Sequence, residues 1–83
     1  MHTILLDPAR YASSADLHAA LKGMLSLPSW YGGNADALND CLSERGEPVS
    51  LWLASQSANE DTQRAVRLIS RVVLDNGGSV REL

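Results

Sequence analysis

The carboxylates of Asp36, Asp40 and Glu44 recur every fourth residue through the segment ADALNDCLSER. At roughly 100° per residue this spacing sets all three on one side of a helix, while Ala35, Leu38, Cys41 and Leu42 fall on the other side and pack inward. Like charges so spaced repel by about 0.2–0.5 kcal/mol per pair, and no base is interleaved before Arg45. A partner's cations would relieve that repulsion. Taken alone, the stripe is more simply the solvated face of a helix, because isolated surface charges contribute little. The segment just ahead, LPSWYGGN, adds Trp30 and Tyr31 beside Gly32 and Gly33. Large aromatics in a loop of proline and glycine are either folded into the core or held out as contact anchors, and the pair is expected to divide, one inside and one outside. Tyr31 and Gly32 are expected to shape the loop, and Asn34 to cap the helix that follows.

Other chemistry has little to stand on. His2 is at the start of the sequence, and His18 lies two residues from Asp16, so the two do not share a helix face. Cys41 falls on the inward side with Leu38 and Leu42 and reads as a small core residue rather than a nucleophile. Asp36, Asp40 and Glu44, without histidine or further oxygen donors, would hold a divalent ion only weakly. The glycine pair has no lysine after it and no strand before it, so it is not a phosphate cradle. No enzymatic activity, cofactor, metal or small-molecule substrate is expected.

The charge distribution points the same way. Between Tyr31 and Glu47 the acids are Asp36, Asp40, Glu44 and Glu47, against the single base Arg45. Elsewhere Asp7, Asp16, Glu60, Asp61, Asp75 and Glu82 are matched one for one by Arg10, Lys22, Arg64, Arg67, Arg71 and Arg81. The formal net charge of −3 therefore sits in one window. Such a field favours a basic partner and repels nucleic acid phosphates. Eighty-three residues, 45 % of them hydrophobic, suffice for one small domain over 1–83. With Cys41 alone there is no internal disulfide, and a lone thiol suits a reducing compartment. The opening MHTILLDPARY is too briefly apolar for a signal-peptide core, and no segment has the apolar length of a membrane span. The expectation is a cytoplasmic protein.

Elements follow from local signals. Thr3 to Leu6 reads as a first strand ended by Asp7-Pro8. Ser13 or Ser14 caps a helix whose apolar positions are Leu17, Leu21, Met24 and Leu25, with Asp16 in its first turn. A second helix runs from the Asn34 cap to about Ser43, and Arg45-Gly46-Glu47-Pro48 is a turn. Val49 to Ala54, apolar without strict alternation, reads as a central strand covered on both faces, with Trp52 in the core. After a polar connection from Ser55 to Asn59, a longer helix spans about Glu60 to Asp75. Its buried stripe is Ala65, Val66, Leu68, Ile69, Val72 and Val73, opposite Arg64, Arg67 and Arg71, the arginines being paired with Glu60 and Asp61. Asn76-Gly77-Gly78 ends that helix, and Ser79 to Leu83 forms an edge strand open to further pairing. Strands alternating with helices in so short a chain imply an α/β fold, a small three-stranded parallel sheet flanked by helices.

Several of these residues also carry a family resemblance. Asp16-Leu17-His18, Leu27-Pro28, Trp30-Tyr31-Gly32, Asn34, Asp36-Ala37-Leu38 and Asp40-Cys41-Leu42, followed by a hydrophobic strand and a long helix, resemble the barstar family, intracellular inhibitors of secreted barnase-type ribonucleases. The resemblance is dense from Asp16 to Leu42 and thin beyond. It implies inhibition by plugging: an aspartate of the second helix takes the place of a substrate phosphate among the enzyme's cationic residues. Asp40 matches that aspartate, Asp36 would meet a second basic group, and Trp30 stands where the family has an aromatic packed against the catalytic histidine. The departures are at the rim. Val72 replaces a glutamate of the last helix, and Asn39 and Arg45 replace tryptophans, which points to a related but distinct nuclease as the target.

The partner-binding surface is thus expected to comprise Trp30, Tyr31 and Gly33 from the loop, Asn34, Ala35 and Asp36 at the helix start, and Asn39, Asp40 and Glu44 further along. In one reading this surface blocks a basic ribonuclease or toxin nuclease, as an immunity or antidote protein that is a monomer within a heterodimeric complex. In the alternative, the same fold is a non-inhibitory interaction module for a basic surface that is not an active site.

Overall fold

The computed structural model describes residues 2–54 and 59–83. The apolar run at the start forms β1 (His2–Leu6) and stops at Asp7-Pro8, where proline removes the next ladder donor. A single 3₁₀ turn, Pro8–Arg10, then leads to α1 (Ser14–Met24), with Ser13 as its N-cap accepting from Asp16 N–H at 3.3 Å. Next come α2 (Ala35–Arg45), β2 (Val49–Leu53), α3 (Glu60–Asp75) and β3 (Ser79–Glu82). The helix and strand bounds fall within a residue or two of those the local signals gave. The polar connection expected from Ser55 to Asn59 lies, apart from Asn59, outside the described residues.

All three strands are parallel, in the order β1-β2-β3, with Ile4 opposite Leu51 and Leu51 opposite Val80. This is the expected three-stranded α/β sheet, with β2 central and β3 at an edge. One expectation fails. The sheet is covered on one face only: Ile4, Leu6, Val49, Leu51 and Leu53 are buried, while the alternate positions Leu5 and Trp52 are 57 % and 36 % exposed. Trp52 is therefore not a core residue. Its indole N–H donates to Ser50 Oγ at 3.2 Å, and the Arg81 guanidinium sits 5.4 Å from the ring centroid. Strand order supplies the physical reason. Right-handed crossovers that step the same way twice, from β1 to β2 and on to β3, put every helix on the same side.

The core lies between that face and the helices. Leu17 and Leu21 of α1, Leu38 and Leu42 of α2, and Ala65, Ile69 and Val73 of α3 meet Leu6, Leu51 and Leu53 of the sheet. The stripe of α3 is narrower than its sequence suggests: Leu68 is 49 % exposed, and Val66 and Val72 are half-buried. Asn59 caps α3 by accepting from Thr62 N–H at 2.8 Å, and its amide donates to Ala12 O at 2.8 Å. Asp61 does not pair with an arginine; it accepts Ser14 N–H at 2.8 Å, so the start of α3 is tied to the start of α1. At the far end of α3, Gly77 N–H reaches Leu74 O at 3.1 Å and Gly78 N–H reaches Val73 O at 2.9 Å, a complete Schellman ending with Gly77 at φ 80°. Gly78 is required by closeness as well, because a Cβ there would stand 2.2 Å from Val49 O.

Candidate functional site

The loop between α1 and α2 is shaped by how α1 ends. Leu27 N–H reaches back to Lys22 O at 2.9 Å, and Ser26 takes φ 52°, the left-handed conformation usually given to glycine at this place. Tyr31 N–H then donates to Pro28 O at 3.0 Å, closing a turn with Trp30 near its tip. The aromatic pair divides as expected. Trp30 is 59 % exposed, and Tyr31 is 9 % exposed and part of the core. Inside, the Tyr31 hydroxyl meets Nδ1 of His18, itself buried on α1. Burial pushes the His18 pKa down and that of Tyr31 up to about 12, with the charge of Cys41 adding to the latter. Both groups are therefore neutral near pH 7, and they share one hydrogen bond inside the core. Gly33, at φ 70°, where a side chain would be strained, lets the chain turn into α2, where Asn34 accepts Ala37 N–H at 2.8 Å.

On α2 the periodicity resolves as the spacing predicts. Leu38, Cys41 and Leu42 are buried, and Asp36, Asn39, Asp40, Ser43 and Glu44 are exposed. Asp36, Asp40 and Glu44 project from the outer face together, and among the described residues no ion pair neutralises any of them. Arg45, the one base in the acidic window, is turned away. Its Nη1 donates to Leu25 O at 2.6 Å and its Nη2 to His2 Nδ1 at 3.0 Å, and its Nε is buried without a partner. The Cys41 pKa is raised, first by burial and then by the charges of Glu44 and Asp40, which keeps the sulfur a thiol. No group of three metal-ligating side chains converges among the described residues.

The structure therefore brings Trp30, Asp36, Asn39, Asp40 and Glu44 to one surface. Four other expected contact residues are placed differently. Tyr31 faces inward, Gly33 and Ala35 are half-buried, and the Asn34 carboxamide is occupied as the cap. Three contributors went unread in the sequence. Asn76, at the end of α3, donates to Asn39 Oδ1 at 2.9 Å and so fixes that side chain on the flank of the aspartate pair nearest α3. Ser26 and Pro28, with Leu27 and Arg45, line an open notch of about 190 Å³ between Trp30 and Glu44. Nothing local marks these roles, since each depends on a neighbour distant in the chain.

The family model described as barstar, the barnase inhibitor, matches residues 1–80. The chain belongs to the barstar family. Barstar-family proteins are inhibitors and not enzymes, in keeping with the absence of catalytic groups expected from the sequence. The chain is also similar to a protein of Bacillus subtilis (strain 168) named "Putative ribonuclease inhibitor YrdF", with 42 % identity over 43 residues. That match takes in 52 % of this chain and spans 47 % of the length of that protein. No described helix is long and apolar enough to cross a membrane.

Proposed function

We propose that this barstar-family chain inhibits a microbial ribonuclease or related toxin nuclease by inserting α2 and the preceding loop into the enzyme's cationic cleft. The single observation that carries the reading is the pair Asp36 and Asp40, exposed side by side on a helix whose inner face is locked in the core, with no ion pair among the described residues. A carboxylate is a single-charged substitute for a substrate phosphate, and arginine contacts to it strengthen once water is excluded. Asp40 would take the phosphate position, Asp36 a second cation, and Trp30 would pack against the catalytic histidine. Rigidity matters to the mechanism, because a plug that is already ordered loses little entropy on entering the cleft. The chain acts in the cytoplasm as an immunity or antidote protein, a monomer that forms a one-to-one complex.

The test is titration of a cognate toxin ribonuclease with the purified chain. Activity falls to zero at a near-stoichiometric ratio, and Asp40→Ala weakens inhibition by at least ~2 kcal/mol, the scale of an interface hot spot. Inhibition undisturbed by Asp40→Ala contradicts the phosphate substitution. Tight binding that leaves catalysis untouched would instead make the chain an interaction module. Association is fast at low ionic strength and slows as salt screens the acidic window.

A further inference from the structure

We propose that the notch between Trp30 and the last turn of α2 is a subsite for one arginine side chain of the partner. The proposal deepens the inhibitor reading and relies on it only for where that arginine comes from. At about 190 Å³ the notch is smaller than pockets for cofactors and metabolites, which run from roughly 300 Å³ upward, and it has the size of a slot for a single long side chain. One wall is the exposed indole of Trp30, whose face attracts a cation. Beside it stands Glu44, exposed and with no ion pair among the described residues. Leu27, Pro28 and Cys41 complete an apolar floor suited to the methylenes of the incoming chain.

The neighbouring Arg45 does not cancel this attraction. Its guanidinium donates to the carbonyl of Leu25, the C-cap of α1, where the partial negative charge of a helix end offsets it. Glu44 is left as the outermost charge beside the indole. A planar guanidinium satisfies both walls at once, stacking on the ring while it forks to the carboxylate; an ammonium can do only the second well. Asp36 and Asp40 do not line the notch, so it selects among basic targets rather than replacing the aspartate anchor.

The experiment is a two-dimensional NMR titration of the purified chain with N-acetyl-arginine amide, and in parallel with the isosteric but uncharged N-acetyl-citrulline amide. Arginine is expected to shift the Trp30 indole N–H and the amides of residues 43–45 saturably, and citrulline to leave them in place. Glu44→Gln weakens the response by roughly threefold to fivefold, the scale of an exposed charge pair, whereas Asp40→Ala preserves it. Equal responses to arginine and citrulline, indifference to Glu44→Gln, or shifts centred on Asp36 and Asp40 would each overturn the subsite. Because no nuclease enters the titration, its failure leaves the inhibition assay standing, and failure to inhibit any nuclease leaves the titration standing.

Discussion

Helices α2 and α3 each expose a row of like charge, yet they do different things with it. In α3 the row Arg64, Arg67 and Arg71 has acids close by: Glu60 lies 3.8 Å from Arg64, and Asp61 ties the helix start to α1. Its N-terminal end is further pinned by Asn59 to Ala12 and by Thr62 Oγ1 to Tyr11 O at 3.3 Å. In α2 the acids Asp36, Asp40 and Glu44 make no ion pair among the described residues, and the nearest base, the half-buried Arg45, bonds to the end of α1 instead. Surface charges with neighbours of opposite sign are ordinary; a repulsive row held rigidly by a packed inner face costs stability that cations from outside would restore. One helix anchors, and the other presents.

The comparison can be broken most forcefully from inside. Leu38 is fully buried beneath the acidic face, and Leu38→Ala is expected to lower unfolding free energy by about 2–5 kcal/mol, measured by denaturant melts, with inhibition lost as the helix loosens. Unchanged stability would mean that α2 is not held by its core face. The two charge rows give the next contrast. Arg67→Ala should leave both inhibition and stability within about 0.5 kcal/mol, where Asp40→Ala weakens inhibition by at least ~2 kcal/mol and leaves the melting temperature level or slightly raised, both of its i,i+4 repulsions having gone. Were the arginine change to matter as much as the aspartate change, the division between the helices would collapse.

Smaller effects sharpen the boundary between scaffold and display. Asn34→Ala takes away the N-cap of α2 and is expected to cost about 1 kcal/mol of stability. Ser26→Gly relieves roughly 1–2 kcal/mol of left-handed strain at the end of α1 and gives back about 0.4–1 kcal/mol as unfolded-chain entropy, so the fold should gain up to about 1 kcal/mol in denaturant melts. The last effect is a slope. His18 is held neutral in the fold, with its pKa below the usual 6.5, so the unfolded chain binds the proton more readily. Its contribution is complete above pH 6.5 and is lost as pH falls from there through the folded value. Melting temperatures taken from pH 8 to pH 5 should drop on the acid side, and His18→Gln should flatten that limb. The raised Tyr31 pKa acts in the opposite window: stability falls as pH climbs from 10 toward about 12.

Much of the candidate site was legible because its signals are short-range. The spacing of Asp36, Asp40 and Glu44 against Leu38, Cys41 and Leu42 determines both faces of α2, whatever surrounds it. Asn34 as the cap and Gly77 as the helix end are likewise chemical necessities of the local backbone. The division of Trp30 from Tyr31 was readable as a pair. Which of the two turned inward was not, because it depends on the Tyr31 hydroxyl finding His18, thirteen residues away. Trp52 shows the same limit more plainly. An apolar run without alternation describes a buried strand well, and Ser50 is indeed buried, but the exposure of Trp52 follows from all the helices lying on one face.

The sequence by itself determined where the helices and strands begin and end, that the net charge gathers in one window spanning α2 and the turn after it, and that the acids of α2 meet no base within their own helix until Arg45. Periodicity, capping and turn chemistry act over a few residues and carry their information with them. Only the tertiary structure decided that Arg45 reaches Leu25 and His2 instead of the acids, that Asn76 holds Asn39, and that Trp30 and Glu44 line one notch. Those outcomes depend on the order and handedness with which the strands are crossed. That order is settled by how the whole chain buries its apolar surface, and no stretch of a few residues contains it.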